Sequence, residues 1–294
     1  MKGIILAGGF GTRLHPMTQV LSKQLLPVYD KPLIYYPIST LMLAGIKEIL
    51  IITTPQDIYN YQNLLGNGEN LGLKIFYEIQ NQPNGLAEAF IIGEQFIGTD
   101  DVCLALGDNI FYGNQLQSIL TDAREKVTKE GKAIILGYNV PDPERFGIAE
   151  INELGDVISL EEKPNKPKSN FAVVGLYFYP RCVVNKAKQV NPSERGELEI
   201  TTLNQIYLNE NRLSIKRFGR GIAWLDTGTT EALYEASNFI RSVQNLTKQK
   251  IACLEEIALN LNLINVKSLN SYLKSKGKSD YFNYLRKITK SYQN

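Results

Sequence analysis

Gly3-Ile4-Ile5-Leu6-Ala7-Gly8-Gly9 is an unbroken apolar run that stops at a pair of glycines. A strand with one wet face alternates apolar and polar residues, so a run without alternation predicts a strand buried on both faces of a parallel sheet. Apolar runs recur at Glu48–Thr53, Lys74–Ile79, Val102–Leu106 and Ala133–Tyr138, separated by segments with helical spacing such as Tyr36–Ala44 and Leu86–Phe96. Strand and helix therefore alternate, which requires crossover connections and helices on both faces of the sheet. The expected class is α/β: a Rossmann-like core with a mostly parallel, mixed sheet.

The pattern changes after Phe146. Ile148–Ile151, a turn at Asn152–Asp156 and Val157–Leu160 predict a hairpin, and Phe171–Tyr179 a long strand. Glu197–Leu208 has helical spacing, Leu213–Phe218 returns as a strand, and Thr230–Val243 reads as an amphipathic helix. Residues 1–243 form the expected core, and residues 244–294, polar and rich in Lys and Asn, an appended helical subdomain. The chain shows no internal repeat.

The 294 residues suit about two domains, or one large domain with an appendage. Lys plus Arg total 32 against 30 for Asp plus Glu, a net charge of +2 that gives no broad field for nucleic acid or a lipid surface. Neither nucleic acid nor membrane is an expected partner. The run Gly3–Gly9 is too short for a signal sequence and no stretch reaches membrane-spanning length. Cys103, Cys182 and Cys253 are widely spaced and odd in number, which fits reduced thiols and a cytoplasmic address. His15 is the single histidine, so a multi-histidine zinc site is impossible. Any chemistry must run on Lys, Arg, Asp and Glu.

In an open parallel sheet ligands bind beyond the carboxyl ends of the strands. Gly8-Gly9-Phe10-Gly11-Thr12-Arg13 follows the first run, and its glycines let backbone N–H groups approach an anion, with Arg13 adding a fixed charge. The spacing matches neither common phosphate fingerprint, and a plain glycine turn is the competing reading. Lys23 lies ten residues further on; it is a surface lysine unless the connection folds back, in which case it shares a polyphosphate with Arg13. Gln80 and Gly85 offer an amide and a close backbone approach suited to a pyrimidine edge, or only a turn built with Asn81, Pro83 and Asn84. Asp108 ends an apolar strand where a hard cation such as magnesium is often held. Asp226, in an expected Gly/Thr turn at Trp224–Thr229 before a helix, is its candidate partner or a helix N-cap. Glu162 and Lys163, and Arg195 ahead of a helix start, are candidate sugar and phosphate contacts or solvated charges.

GGFGTRL, SKQLLPVYDKP, LGDNIFYG, DPERFG, EEKP, ERGELEIT and WLDTGT occur in this order. With them the chain, from Met1 to about Phe239, resembles the glucose-1-phosphate thymidylyltransferase family of sugar nucleotidyltransferases. The resemblance implies a nucleotide-binding part at about 1–140 and a sugar-binding part at about 141–243. It implies dTTP and glucose 1-phosphate as substrates, Mg2+ as cofactor, and dTDP-glucose as product. Gly8, Gly9, Gly11, Thr12, Arg13 and Lys23 would hold the triphosphate, Gln80 and Gly85 the thymine, and Asp108 and Asp226 the metal. Gly147, Glu162 and Val173 would line the glucose pocket beside Asn109 and Phe146, with Lys163 and Arg195 facing the 1-phosphate. A homotetramer, a second regulatory nucleotide site and a role in dTDP-rhamnose supply for polysaccharide also follow from the resemblance alone. Phe146 stands where the family commonly has tyrosine, Phe10 and His15 where serine and tyrosine are frequent, and Leu254 where proline is common. No charged group is lost, and His15 receives no catalytic role. The rivals are uridylyl transfer by the same chemistry and a noncatalytic nucleotide-sugar sensor.

Overall fold

The computed structural model describes residues 1–292. Its elements run in chain order β1 (Lys2–Ala7), β2 (Pro27–Val28), β3 (Lys31–Pro32), α1 (Tyr35–Leu43), β4 (Glu48–Thr53), α2 (Ile58–Leu65), β5 (Lys74–Ile79), α3 (Glu88–Ile92), α4 (Glu94–Ile97), β6 (Val102–Leu106) and β7 (Asn109–Gly113). Next come α5 (Leu116–Glu130), β8 (Ala133–Asn139), β9 (Gly147–Ile151), β10 (Val157–Glu162), β11 (Phe171–Tyr179), α6 (Val183–Ala187) and α7 (Ile200–Asn209). The chain ends with β12 (Leu213–Arg217), β13 (Ile222–Asp226), α8 (Thr230–Thr247), α9 (Leu254–Asn260), α10 (Val266–Lys274) and α11 (Asp280–Ser291).

The apolar run behaves as its composition requires. β1 lies between β4 and β6, parallel to both, and β5 adds a further parallel strand beside β4. Alternate residues of β1 enter different cores: Ile5 and Ala7 pack with Ile38, Leu41 and Leu120, whereas Ile4 and Leu6 pack with Phe90, Leu203 and Tyr207. Both faces are thus covered by helices, and Ile4 and Ile5, each fully buried, contribute about 2 kcal/mol apiece. β11 then enters antiparallel to β6, β8 and β9, joining the parallel strands to the hairpin β9–β10 and to β8, which pairs parallel with β12. The sheet is mixed on this side. Among the described residues no helix is long and apolar enough to cross a membrane.

Four local expectations are corrected. The helix expected over Leu86–Phe96 is two short ones, α3 and α4, divided at Gly93, which packs so closely on Ile4 that a Cβ would stand 2.9 Å from its Cδ1. The helix expected from Glu197 begins at Ile200, because Leu198 spends its main chain elsewhere: its N–H donates to Asn84 O (2.6 Å) and its carbonyl accepts from Ala87 N (3.0 Å). Trp224–Asp226 is strand rather than turn, since β13 pairs antiparallel with β7 in a separate two-stranded ribbon. Finally, α8 continues through residue 243 to Thr247, so one helix crosses the junction expected there.

The C-terminal helices are anchored as well as appended. Leu254 and Ala258 of α9 belong to the core that contains α1, while Leu269, Leu273 and Leu285 form their own cluster with Tyr272, Tyr281, Phe282 and Tyr284. These aromatics pack within the chain.

Candidate active site

β1 delivers the glycine loop to the carboxyl edge of the sheet. Gly11, at φ 56°, starts a short 3-10 turn over Thr12–Leu14, where the left-handed backbone excludes most side chains. Thr18 Oγ1 donates to Gly11 O (2.7 Å), and buried Leu14 anchors the turn, leaving Thr12 and Arg13 exposed. His15 is exposed and caps this turn through its backbone N–H on Thr12 O.

The connection folds back, so Lys23 is not a surface lysine. Ser22 N donates to Asp57 Oδ1 (3.0 Å), the Ser22 hydroxyl lies 2.7 Å from Gln24 Oε1 and 2.8 Å from the Tyr61 hydroxyl, and Ile34 N donates to Gln24 O (2.8 Å). Pinned this way, Lys23 is buried at 7% exposure and donates from Nζ to Asp108 Oδ2 (2.7 Å).

Asp108 and Asp226 are 118 positions apart in sequence and meet through the ribbon. Asp226 ends β13 directly opposite Asn109 of β7, and Thr227 ties the junction by donating from Oγ1 (2.8 Å) and N (3.3 Å) to Asp108 O. Asn109 Nδ2 donates to Asp108 Oδ1 (2.9 Å), while Asn109 Oδ1 accepts from Trp224 Nε1 (2.6 Å) and Gly175 N (3.2 Å). The N-cap reading of Asp226 fails, because Thr229 caps α8 through Ala232 N.

The two carboxylates are electrostatically unequal. Burial disfavours the charge of Asp108, but Lys23 and Asn109 outweigh it and hold its carboxyl below the ordinary value. Asp226 is raised, first by burial and then by the Asp108 charge, against the opposing pull of Lys23, Arg13 and Arg145. Among the described residues no group of three or more His, Cys, Asp or Glu could hold a metal ion by itself. A pair of acceptor-only carboxylates repelling one another does fit a hard cation that completes its shell with phosphate oxygens and water.

Arg13, Asp108, Asn109 and Asp226 form one side of a cavity of about 280 Å3, and Phe146, Gly147, Glu162, Lys163, Val173 and Arg195 line the same cavity. Glu162 Oε2 accepts from Thr201 Oγ1 (2.5 Å), and its other oxygen lies 3.6 Å from both Lys163 Nζ and Arg195 Nη2. Arg195 is also held by Glu199 (2.8 Å) and Glu197 (3.6 Å). A side chain at Gly147 would press on Glu162 and Thr201 at 3.2 and 3.1 Å. Phe146 packs on Trp224 with ring centroids 5.1 Å apart. Gln80 and Gly85 do not line this cavity; Gln80 Nε2 donates to Gly85 O (3.4 Å) and its Oε1 faces Gly8. Gly85, at φ +111°, admits nothing larger, since a Cβ would lie 2.4 Å from Leu198 N.

Sequence reasoning passed over several groups. Arg145 comes within 4.0 Å of Asp226, and Trp224, Thr201 and Glu199 each hold an expected site residue. All but Glu199 act across the fold; all four lie within the ordered motifs, and the fixed charge of Arg145 was a usable signal. A larger cavity, about 780 Å3, lies between α1, α5 and residues 247–252, away from these carboxylates.

The family model described as nucleotidyl transferase matches residues 2–243. The glucose-1-phosphate thymidylyltransferase of Neisseria meningitidis serogroup A is 53% identical over 290 residues, 99% of this chain and 100% of that one. The enzyme of the same name from Mycolicibacterium smegmatis is 50% identical over 288 residues, 98% and 99% of the two chains. Among solved structures, a UDP-glucose pyrophosphorylase complexed with UDP-glucose superposes with a TM-score of 0.72 at 28% identity, covering 82% of this chain and 98% of that one.

Proposed function

The chain belongs to the nucleotidyl transferase family, and from that premise we propose that it transfers the thymidylyl group of dTTP to glucose 1-phosphate, forming dTDP-glucose and pyrophosphate. One observation carries the reading: two carboxylates, a buried lysine and an exposed arginine converge at the carboxyl edge of the sheet, beside a cavity also lined by Glu162, Lys163 and Arg195. Nearly full-length identity of about half with thymidylyltransferases supports it.

The reaction joins two anions. A phosphate oxygen of glucose 1-phosphate attacks the α-phosphorus in line, and the bond to the bridging oxygen breaks, its electron pair leaving with pyrophosphate. No general base is needed, because a phosphate monoester with a second pKa of about 6 is already mostly dianionic at neutral pH. Catalysis is then alignment and neutralisation. The N–H groups of Gly8, Gly9, Gly11 and Thr12 cradle the triphosphate, with Arg13 and Lys23 adding charge. Asp108 and Asp226 would hold Mg2+, which when bound neutralises charge on the transferring phosphates. Lys163 and Arg195 receive the sugar phosphate, and Glu162, Gly147, Val173 and Asn109 the hexose, while Phe146 supplies an apolar wall. Gln80 and Gly85 meet the thymine.

The nucleotide-binding part is assigned to about 1–140, the sugar-binding part to 141–243 and the helical subdomain to 244–294. The protein acts as a cytoplasmic homotetramer in this reading; three free cysteines agree with the compartment. Sizing that returns monomers would defeat the assembly.

Pyrophosphate release from dTTP and glucose 1-phosphate, assayed beside UTP, tests the reaction. A strong preference for UTP would replace thymidylyl by uridylyl transfer, the reading that likeness to the UDP-glucose enzyme favours. The thymine methyl contributes only about 1 kcal/mol of apolar contact, so some use of UTP is expected.

A further inference from the structure

We infer that Glu88 determines which pyrimidine the site accepts, by fixing which end of the Gln80 amide faces the base. The inference rests on the reading above, in which Gln80 meets the base of dTTP.

A glutamine side chain presents an acceptor and a donor that exchange places on a half-turn of its amide. Thymine and uracil offer an N3–H donor at the centre of their pairing edge, whereas cytosine offers an N3 lone pair flanked by an amino group. A glutamine facing the base with Oε1 therefore accepts the first two and repels the third. Facing with Nε2, it does the reverse. Gln80 has no intrinsic preference between these states, so something else must choose.

Glu88 chooses. Gln80 is buried at 5% exposure, and its Nε2 donates to Glu88 Oε2 at 2.7 Å and more weakly to Gly85 O at 3.4 Å. Both partners can only accept, so the flipped amide would set Oε1 against a carboxylate and a carbonyl at once. Glu88 is itself held, its Oε1 accepting from Asn84 Nδ2 at 2.9 Å. The free end of the amide points at the glycine loop: Oε1 lies 2.8 Å from where a Gly8 Cβ would stand. No donor among the described residues reaches Oε1, and no buried side-chain polar atom among them lacks a partner, so this oxygen is open to solvent and available to a ligand. The side-chain hydrogen bonds of Glu88 go to Gln80 and Asn84, and no substrate contact is proposed for it. It is a positioning residue, and its effect is read in selectivity.

The test compares kcat and KM for dTTP, dUTP and dCTP in the full-length wild type and in Glu88→Ala and Glu88→Gln. Where dCTP turns over too slowly, its inhibition constant against dTTP replaces it. In Glu88→Ala the KM for dTTP should rise about tenfold, the factor expected for one misdirected hydrogen bond, with kcat at saturation within about threefold. The preference for dTTP over dCTP should fall by roughly tenfold or more, because a site rejects an analogue by leaving its own polar groups unpaired. The dTTP to dUTP ratio should not move, as both bases carry N3–H. Glu88→Gln keeps one acceptor and should fall between. A dTTP to dCTP ratio that stays at the wild-type value in both variants overturns the inference and leaves Glu88 as a loop support. If Glu88→Ala does not fold, the isosteric Glu88→Gln decides alone, with a fall of less than about twofold counting against. Failure of the wild type to use dTTP at all would sink the functional reading instead, and shows before any variant is made.

Discussion

The cations proposed for the nucleotide and those proposed for the sugar phosphate differ in how they are paired. Among the described residues Arg13 makes no ion pair, and Lys23 makes one, to a carboxylate proposed to hold metal. At the other end Arg195 is shared among Glu162, Glu197 and Glu199 at 2.8 to 3.6 Å, and Lys163 lies 3.6 Å from Glu162. Arg13, on the side proposed for the nucleotide, is therefore open to an anion, whereas the cations proposed for the sugar phosphate lie against the protein's own carboxylates. Arg195 is 44% exposed and such partly wet pairs are weak, about 0 to 1 kcal/mol each, so an arriving phosphate can displace them. In the proposed reading Arg13 attracts by unpaired charge, while Lys163 and Arg195 select by requiring an exchange of partners.

The strongest way to break this contrast is Asp226→Asn. Turnover should drop about a thousandfold, as when charge stabilisation of a transferring phosphoryl group is removed. The metal-free fold should nevertheless melt higher at pH 7. Asp226 is raised, first by burial and then by Asp108, so ionising it costs more in the folded chain than in the unfolded one. Its contribution to stability is lost as pH rises above the ordinary carboxylate value, and the gain from Asn should shrink as pH falls toward that value. Calorimetry across that range checks the sign; a lower melting temperature at pH 7 would refute the repulsion.

Next in size, Arg13→Ala should lower kcat/KM for dTTP about a hundredfold with only a small fall in melting temperature, since no ion pair is broken and only its weaker pull on Asp226 is lost. Lys23→Ala should also cripple turnover but destabilise the fold by about 3 kcal/mol, because Asp108 loses its buried counter-charge. Equal melting temperatures for the two variants would erase the asymmetry within the nucleotide end. At the sugar end, Arg195→Ala should raise the KM for glucose 1-phosphate about tenfold and leave that for dTTP alone. Smallest of all, Glu197→Gln should change the same KM by less than about threefold. Steady-state kinetics with each substrate varied separates these outcomes.

What could be read in the sequence was local. The run Gly3–Ala7, the glycines after it and Asp108 at a strand end announce themselves because one strand and its exit loop suffice to place them. Lys23 gave no such signal: its burial depends on Asp57 and Tyr61, more than thirty residues away. Trp224–Asp226 resembled a turn because Gly and Thr follow it, and only pairing with β7 makes it a strand. Glu197–Glu199 carried helical spacing yet stays extended, since the backbone of Leu198 bonds to residues more than a hundred positions earlier. Glu88 was simply the third residue of an expected helix, and nothing in its neighbourhood tells that it turns an amide.

That backbone bridge has a consequence of its own. Asn84 and Ala87 belong to the loop proposed to meet the base, and Leu198 lies three residues after Arg195, so two main-chain hydrogen bonds stitch the reader of one substrate to the grip on the other. Neither loop can shift alone. Changing Gly85, whose Cα abuts this seam, would loosen both substrates together, and a lesion confined to one strand of the stitch would be felt as a failure to bring base and hexose into a single frame.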